Sequence, residues 1–513
     1  MQSLTEPEEA IRTNWISCFL PCSGGWFLIW FMTMFLLFAP DSILADGAVA
    51  RHFITGLDII QKGYIAHTNY VWAVNPNYPW LTHELFGDII FGGAFQTLGL
   101  NGVALVGFLV CGLSLMWSYQ FARAQGLGRV SSWIAFAPVL LANSLHWLSR
   151  SHIFSYLFLL IIYYANLLKE LPFKMRMLIS VVSMVLWCNF HGSIFIGLFA
   201  LALPPAVKFL DAIWQGTLQE KKKDIALDFS IPLLAAAALC INIRGLGEYT
   251  YLIGYLSHPE ILGKGSEWRS LDFSMGIAIW AFLILCIMLL LLGRFAKNKP
   301  NFAQWTLCMA LFFGGVYVMR LIPYFALLAL PAIGAAWGEM RKHALASTAA
   351  SAAQSLFQRF CKWDDNKQID QKGELKHALI KVVLLLGIIG IFLVDPRFKV
   401  KDFQQNKLPV AAVEYMRTHN VNGLGFALDN WGPYLYYKFR TPIFIDEKTD
   451  FYPVEFMKEY HSAYRGDTPE VLDKYKINYV LVQPDAGLIK WLDSSNNWQR
   501  VYSDKVSVLY LRK

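Results

Sequence analysis

Residues 150–169 read R-S-H-I-F-S-Y-L-F-L-L-I-I-Y-Y-A-N-L-L-K. The apolar run 153–168 approaches the length a helix needs to cross a bilayer, and its two ends differ in kind. Arg150 and His152 stand at one end, Lys169 at the other. Ionisable groups at such depth are costly unless they face a cavity or one another. The same asymmetry recurs along the chain. Polar clusters occur at Asp46, Arg51 and His52; at Trp80, His83 and Glu84; and at His146, Arg150 and His152. Others follow at Asn189 and His191; at Asn242 and Arg244; at Glu267, Trp268 and Arg269; and at Arg320. Threaded through a bilayer, all of them fall on one side. A structural protein would scatter them over both faces, so their convergence points to a polar chamber open to one compartment.

Ten more apolar runs accompany the first, at 26–39, 103–121, 130–145, 177–189, 193–209, 225–241, 275–292, 302–318, 321–337 and 379–394. Several fall short of the ideal length of about 20 residues, which a thinner local bilayer absorbs. Eleven spans are expected. The chain is 56% hydrophobic and only 16% charged, too little charge for a soluble chain of 513 residues. Basic residues mark the loops on the side away from the polar clusters: Arg123 and Arg129, Lys169, Lys174 and Arg176, Lys221 to Lys223, Arg294, Lys297 and Lys299, and the stretch 341–376. The positive-inside rule makes that side cytoplasmic.

The organisation that follows is a cytoplasmic segment 1–22, a membrane domain 23–396 with a first outer loop 41–100, and an outward, periplasmic domain 402–513. Within the outer loop, 84–100 is apolar but short and carries Asp88 and Gln96, so it is expected to lie as a helix at the interface. The first apolar run follows an acidic head (Glu6, Glu8, Glu9) without a clear cleavage site, which reads as a retained signal anchor. The eight cysteines avoid the outward domain, so a disulfide framework is not expected. The net charge of +8 is ordinary loop charge that anionic lipids attract. No basic patch interleaved with aromatics suggests nucleic acid. The stretch from Lys362 to Lys367 reads as a solvated loop.

From 402 the pattern changes to a small α/β domain. Helices are expected at 410–418, 454–463 and 470–475, and strands at 424–428, 443–445, 479–482, 499–502 and 507–511.

The first outer loop carries the sharpest local chemistry. Asp46, just beyond the first span, suits a general base toward an acceptor hydroxyl, although Asp is also a favoured helix cap. Glu84 has the same two readings, acid of a site or acid of a first helical turn. Arg150, Arg244 and Arg320 at outer span ends suit a phosphate, which the planar guanidinium grips bidentately; snorkelling to headgroups is the bland alternative. Five histidines (His52, His83, His146, His152, His191) share the face, but their spacing matches no compact zinc motif. No metal ligand is assigned, and a divalent ion stays open as the alternative, since neutral imidazole is a common ligand.

Taken in order, Asp46 with R-H-x-x-T-G, P-W-L-T-H-E, R-S-H-I-F-S, N-F-H-G-S, N-I-R-G, S-E-W-R-S-L-D-F and M-R-L-I-P-Y-F-A-L-L-A-L-P give the whole chain a resemblance to bacterial multi-span proteins related to the GT-C glycosyltransferases. D-N-W-G-P-Y-L, I-F-I-D-E-K-T-D-F-Y and Y-V-L-V-Q-P-D resemble that group's terminal domain. The resemblance implies an α-helical polytopic enzyme of the bacterial inner membrane that transfers a sugar from a polyprenyl-phosphate donor to a periplasmic acceptor. It also implies a catalytic acid in the first outer loop, where Asp46 stands without the D-D or D-E pair of better-known members.

On that reading Asp46 and Glu84 are the catalytic acids. Arg51, His52, His83, Arg150, His152, His191, Arg244, Glu267 and Arg320 bind substrate. No cofactor is called for. A transporter of a lipid-linked substrate or a non-catalytic envelope assembly protein is the alternative; the chain shows no internal repeat of the kind transporters use, and its charges sit at span ends.

Overall fold

Each of the eleven apolar runs is centred on a helix, and these helices surround one that is buried along most of its length. The computed structural model describes residues 24–168, 171–256, 268–295, 301–347, 351–364, 371–448 and 452–513. Glu267 lies outside the described residues.

The helices are α1 Gly25–Phe38, α2 Ala48–Lys62, α3 Leu85–Ala124, α4 Arg129–Asn143, α5 Phe154–Tyr163, α6 Phe173–Phe190 and α7 Ile194–Trp214. They continue with α8 Leu218–Ala238, α9 Gly247–Leu256, α10 Ile277–Phe295, α11 Phe302–Tyr317, α12 Ile322–Ala346, α13 Ala352–Trp363 and α14 Gln371–Val394. Among the described residues seven helical segments are long and apolar enough to cross a membrane by length and composition; α1 and α11 are shorter apolar helices.

The central helix is α12, in which Pro323 opens the first turn and Tyr324 to Ala332 are all buried. It packs on α3, α4, α10 and α11. In lipid, apolar burial against a neighbouring helix gains little over burial in acyl chains, so close packing and polar contacts must hold such a bundle. One such contact is the Ser118 hydroxyl, which donates to the Leu327 carbonyl at 2.6 Å.

Gly99, at φ 60° and ψ −146°, breaks α3 into an 85–98 arm and a longer spanning part. The arm lies on α2, and the crossing is tight because glycine meets glycine. A Cβ on Gly56 would sit 1.7 Å from the Asp88 carbonyl oxygen, and one on Gly92 would sit 2.3 Å from the Gly56 backbone.

Two sequence expectations need correction. Asp364 is fully buried rather than solvated. Its carboxylate accepts the backbone N–H groups of Val130 (2.7 Å) and Ser131 (3.1 Å) and the Ser131 hydroxyl (2.6 Å), capping α4 from a distant loop. The four orphan N–H groups of a helix start create that demand. Residues 443–445 form no strand of the sheet. Ile443 pairs with the first outer loop: its N–H donates to the Val71 carbonyl at 2.9 Å and its carbonyl accepts from Ala73 N–H at 2.8 Å.

Residues 402–513 hold α15 Val410–Thr418, β1 Gly425–Ala427, α16 Gly432–Phe439, α17 Val454–Arg465, α18 Val471–Lys474, β2 Tyr479–Val482, α19 Leu488–Ser494, β3 Trp498–Ser503 and β4 Val508–Arg512. The sheet order is β1-β2-β4-β3, with β1 and β2 parallel and the other pairs antiparallel. Tyr479-Val480-Leu481-Val482 is buried throughout, as a central strand covered on both faces requires. Trp72 of the outer loop enters this unit's core, its ring 5.1 Å from Tyr452 and 4.9 Å from Phe456. The loop and the C-terminal unit therefore share one hydrophobic core.

Candidate active site

The polar clusters meet where α2, the start of α3, the α6–α7 turn and the C-terminal unit come together. Asp46 stands just before α2. Its Oδ1 accepts the Ala48 N–H at 2.7 Å, so the capping role is real, while its Oδ2 lies 3.3 Å from the Arg150 guanidinium. Gly47 donates its N–H to Asn430 Oδ1 at 2.9 Å, and a Cβ there would fall 1.7 Å from the Asn430 carbonyl oxygen. Glycine is what lets the outer loop seat against the C-terminal unit at this point.

One helical turn on, Arg51 and His52 are buried. Arg51 lies over the Trp80 ring at 5.1 Å and 3.7 Å from the Asp446 carboxylate. His52 Nδ1 lies 2.7 Å from Asp88 Oδ1 and 3.2 Å from the Ser151 hydroxyl; Thr82 donates to the other Asp88 oxygen at 2.8 Å. The close α2–α3 crossing allows this bond, since His52 and Asp88 face each other across the two glycines.

Glu84, at the start of α3, is the hub. It is buried, forms an ion pair with Lys448, and has His52, His83 and His191 at 3.9, 3.8 and 3.8 Å. Burial alone would raise its carboxyl; the Lys448 ammonium, together with His52, His83 and His191, outweighs that and holds it well below the usual glutamate range. Burial does the opposite to His83, pushing its imidazole down to about 3 and keeping it neutral. The His83 ring sits 4.8 Å from Tyr251, and its Nδ1 has no hydrogen-bond partner among the described residues. His191, in the α6–α7 turn, has Nδ1 2.8 Å from the Ser193 hydroxyl and Nε2 3.1 Å from the Arg320 guanidinium. Arg320 also covers the Trp268 ring at 5.3 Å.

His152 lies at the edge, its ring 6.1 Å from His191 and 4.3 Å from His146, with Nε2 3.1 Å from the His146 carbonyl oxygen. Arg244 donates to the Leu81 carbonyl and lies over Tyr251 at 4.2 Å, so it braces the Trp80–Glu84 segment. The described sequence candidates thus belong to one connected constellation. The sequence reading missed Asp88, Asn430 and the run Asp446-Glu447-Lys448. The last is a charged trio directly after the apolar Ile443 to Ile445, an abrupt change of character that was the available signal. Among the described residues no three His, Cys, Asp or Glu side chains are grouped to hold a metal ion.

No family model matches the chain, and no curated protein matches it by sequence. Solved structures do match. The oligosaccharyltransferase AglB from Archaeoglobus fulgidus, in complex with an inhibitory peptide and a dolichol-phosphate, is 12% identical, with 90% of this chain covering 69% of that one at a TM-score of 0.51. The Archaeoglobus fulgidus oligosaccharyltransferase tethered to an acceptor peptide is 13% identical, with 98% of this chain covering 74% of that one at 0.50. The chain shares its fold with these two oligosaccharyltransferases. On that fold, the site described above is built by this chain's own residues: outer-loop acids and arginines closed on one side by a C-terminal acid-lysine run.

Proposed function

We propose that the protein is an integral-membrane glycosyltransferase that moves a sugar from a polyprenyl-phosphate donor to a hydroxyl-bearing acceptor at the outer face of the bacterial inner membrane. The observation that carries this reading is the pairing of carboxylates with guanidinium and imidazole groups in one place: Asp46 with Arg150, and Glu84 with His191 and Arg320. Transfer from a phosphate leaving group needs both kinds of group, a carboxylate for the acceptor's proton and fixed cations for the charge that develops on the phosphate. The dolichol-phosphate held by the fold's oligosaccharyltransferase neighbour supports the donor class.

In this reading Asp46 accepts a hydrogen bond from the acceptor hydroxyl. Arg150 and Arg320 face the departing phosphate, with Arg244 fixing the Trp80–Glu84 segment beside it. Glu84, kept ionised by Lys448, orients His83 and His191. His52 and Arg51 hold the outer loop in register, and His152 lines the donor side. Glu267 is assigned to the substrate face by sequence alone. Eleven spans, an N-terminus in the cytoplasm and a periplasmic C-terminal unit complete the proposal, and neither a metal nor another cofactor is part of it.

The test is Asp46→Asn, which keeps the bond from Ala48 N–H but removes the negative charge that accepts the hydrogen bond from the acceptor hydroxyl. In membranes supplied with a radiolabelled polyprenyl-phosphate sugar, transfer should fall by about 10²–10⁴-fold with normal insertion. Transfer at the wild-type rate would reduce Asp46 to a helix cap.

A further inference from the structure

Among the described residues, Glu447 differs from Asp46, Asp88 and Glu84 in that neither carboxylate oxygen has a hydrogen-bond partner. Asp46 is held by Ala48 and Arg150, Asp88 by His52 and Thr82, and Glu84 by Lys448. Among the described residues both Glu447 carboxylate oxygens are closed off from solvent, and neither has a hydrogen-bond partner. A buried carboxyl that gives up water without replacement is costly, and native structures retain few such groups without a use for them. Its surroundings are as specific as its isolation. The charges of Asp446 and Asp46 raise its affinity for a proton, and those of Arg150 and Lys448 oppose them. It is carried to the outer loop by two contacts on its own segment, Asp446 to Arg51 and Lys448 to Glu84.

We propose that Glu447, brought in by the C-terminal unit, is an acid–base residue of the transfer reaction and forms a single proton-handling pair with Asp46; this rests on the glycosyltransferase reading above. Burial first, then the charges of Asp446 and Asp46, hold the Glu447 carboxyl well above the usual glutamate range, against the opposing pull of Arg150 and Lys448. Asp46, by contrast, has both oxygens engaged, one by the Ala48 N–H and the other by the Arg150 guanidinium.

The step balances as follows. The acceptor oxygen forms its bond to the anomeric carbon as the bond from that carbon to the phosphate oxygen breaks, and the electron pair leaves on polyprenyl phosphate. The acceptor's proton, hydrogen-bonded to Asp46, passes to the ionised Glu447 carboxylate. Asp46 stays charged against Arg150, and Glu447 returns the proton to solvent before the next turnover. A base whose affinity for the proton is raised toward the working pH is the more effective one.

Glu447→Gln, Asp46→Asn and the double variant, each purified whole in lipid nanodiscs, test this. Two readouts are used: sugar transfer from a polyprenyl-phosphate donor, and infrared titration of buried carboxyl groups. Each single change should cost about 10²–10⁴-fold in transfer. The double variant should lose no more than the worse single, because the two residues act as a unit. In the infrared, a carboxyl that holds its proton above the usual range should vanish in Glu447→Gln. In Asp46→Asn it should titrate at lower pH, since a neighbouring negative charge has gone. Transfer by Glu447→Gln at the wild-type rate, or losses that multiply in the double variant, would overturn the pair and leave the glycosyltransferase reading standing. A wild type that transfers nothing yet shows the coupled titration would overturn that reading and the acid–base role with it, leaving only the electrostatic coupling of the two carboxyls. If Glu447→Gln does not assemble, the wild-type and Asp46→Asn titrations still decide: an unmoved carboxyl overturns the proposal.

Discussion

At the residue scale the decisive contact is Glu84 with Lys448, a buried carboxylate and a half-buried ammonium 364 positions apart in the chain. Each alone would carry a large desolvation cost, so removing one partner costs more than the pair is worth. We expect Lys448→Met to destabilise the protein by about 3–5 kcal/mol. Glu84→Gln added to it should restore part of the loss, read as thermal unfolding of the two variants side by side. The pH sign follows from the depressed Glu84 carboxyl: the stabilisation is whole above the ordinary glutamate range and is lost as pH falls through the lowered value. Lys448→Met should flatten that acid limb, and an unchanged limb would mean another group produces it. Much of this constellation was legible in the sequence, because arginines, histidines and acids at span ends need partners wherever they lie. Lys448 and Glu447 were not, since a D-E-K run beside a strand-like triplet reads equally well as a solvated turn. Only the pairing of Ile443 with Val71 and Ala73 turns that run inward.

At the scale of elements, position depends on the absence of side chains. The α2–α3 crossing places His52 against Asp88 only because Gly56 and Gly92 let the backbones touch. We expect Gly56→Ala to force the helices apart, since its Cβ would lie 1.7 Å from the Asp88 carbonyl oxygen and backbone cannot rotate away. The loss should exceed the few tenths to 1 kcal/mol by which Ala normally favours a helix over Gly. It should appear both as a lower unfolding temperature and as loss of transfer. Equal stability would show that the crossing relaxes. Helices of this length were legible from apolar runs alone, and so was the 84–100 arm, whose polar residues and shortness set it apart from the spans. The short helices α16 and α19 were not, because a few residues give too little periodicity to separate helix from loop. Asp364 escaped for a different reason: a capping carboxylate reaches its helix through space, and Lys362 and Trp363 just before it are exposed.

At the scale of the whole molecule, the first outer loop and the C-terminal unit form one body, since Trp72 and Trp80 lie in a core with Phe444, Tyr452 and Phe456. Both must therefore reach the same compartment, although more than ten helices separate them in the chain. That constraint bears on topology independently of loop charge. In the proposed topology the positive-inside rule assigns the N-terminus to the cytoplasm and an odd number of crossings sends the C-terminus outward; a shared core then demands the same outward placement for the first loop. Alkaline phosphatase, which works only outside the cytoplasm, should be active when fused after Lys513 and also when inserted at the exposed loop residue Asn77. A cytoplasmic reporter should be silent at both. One site active and the other silent would contradict the shared core; both silent would invert the topology and put the carboxylates on the wrong face for an outward acceptor. Deleting 402–513 sharpens the test further. It would uncover two tryptophans and leave Glu84 without its lysine, so the truncated protein should expose the outer loop to added protease even where the membrane helices still insert. Protection equal to that of the full chain would mean the loop folds on its own and the C-terminal unit merely rests upon it.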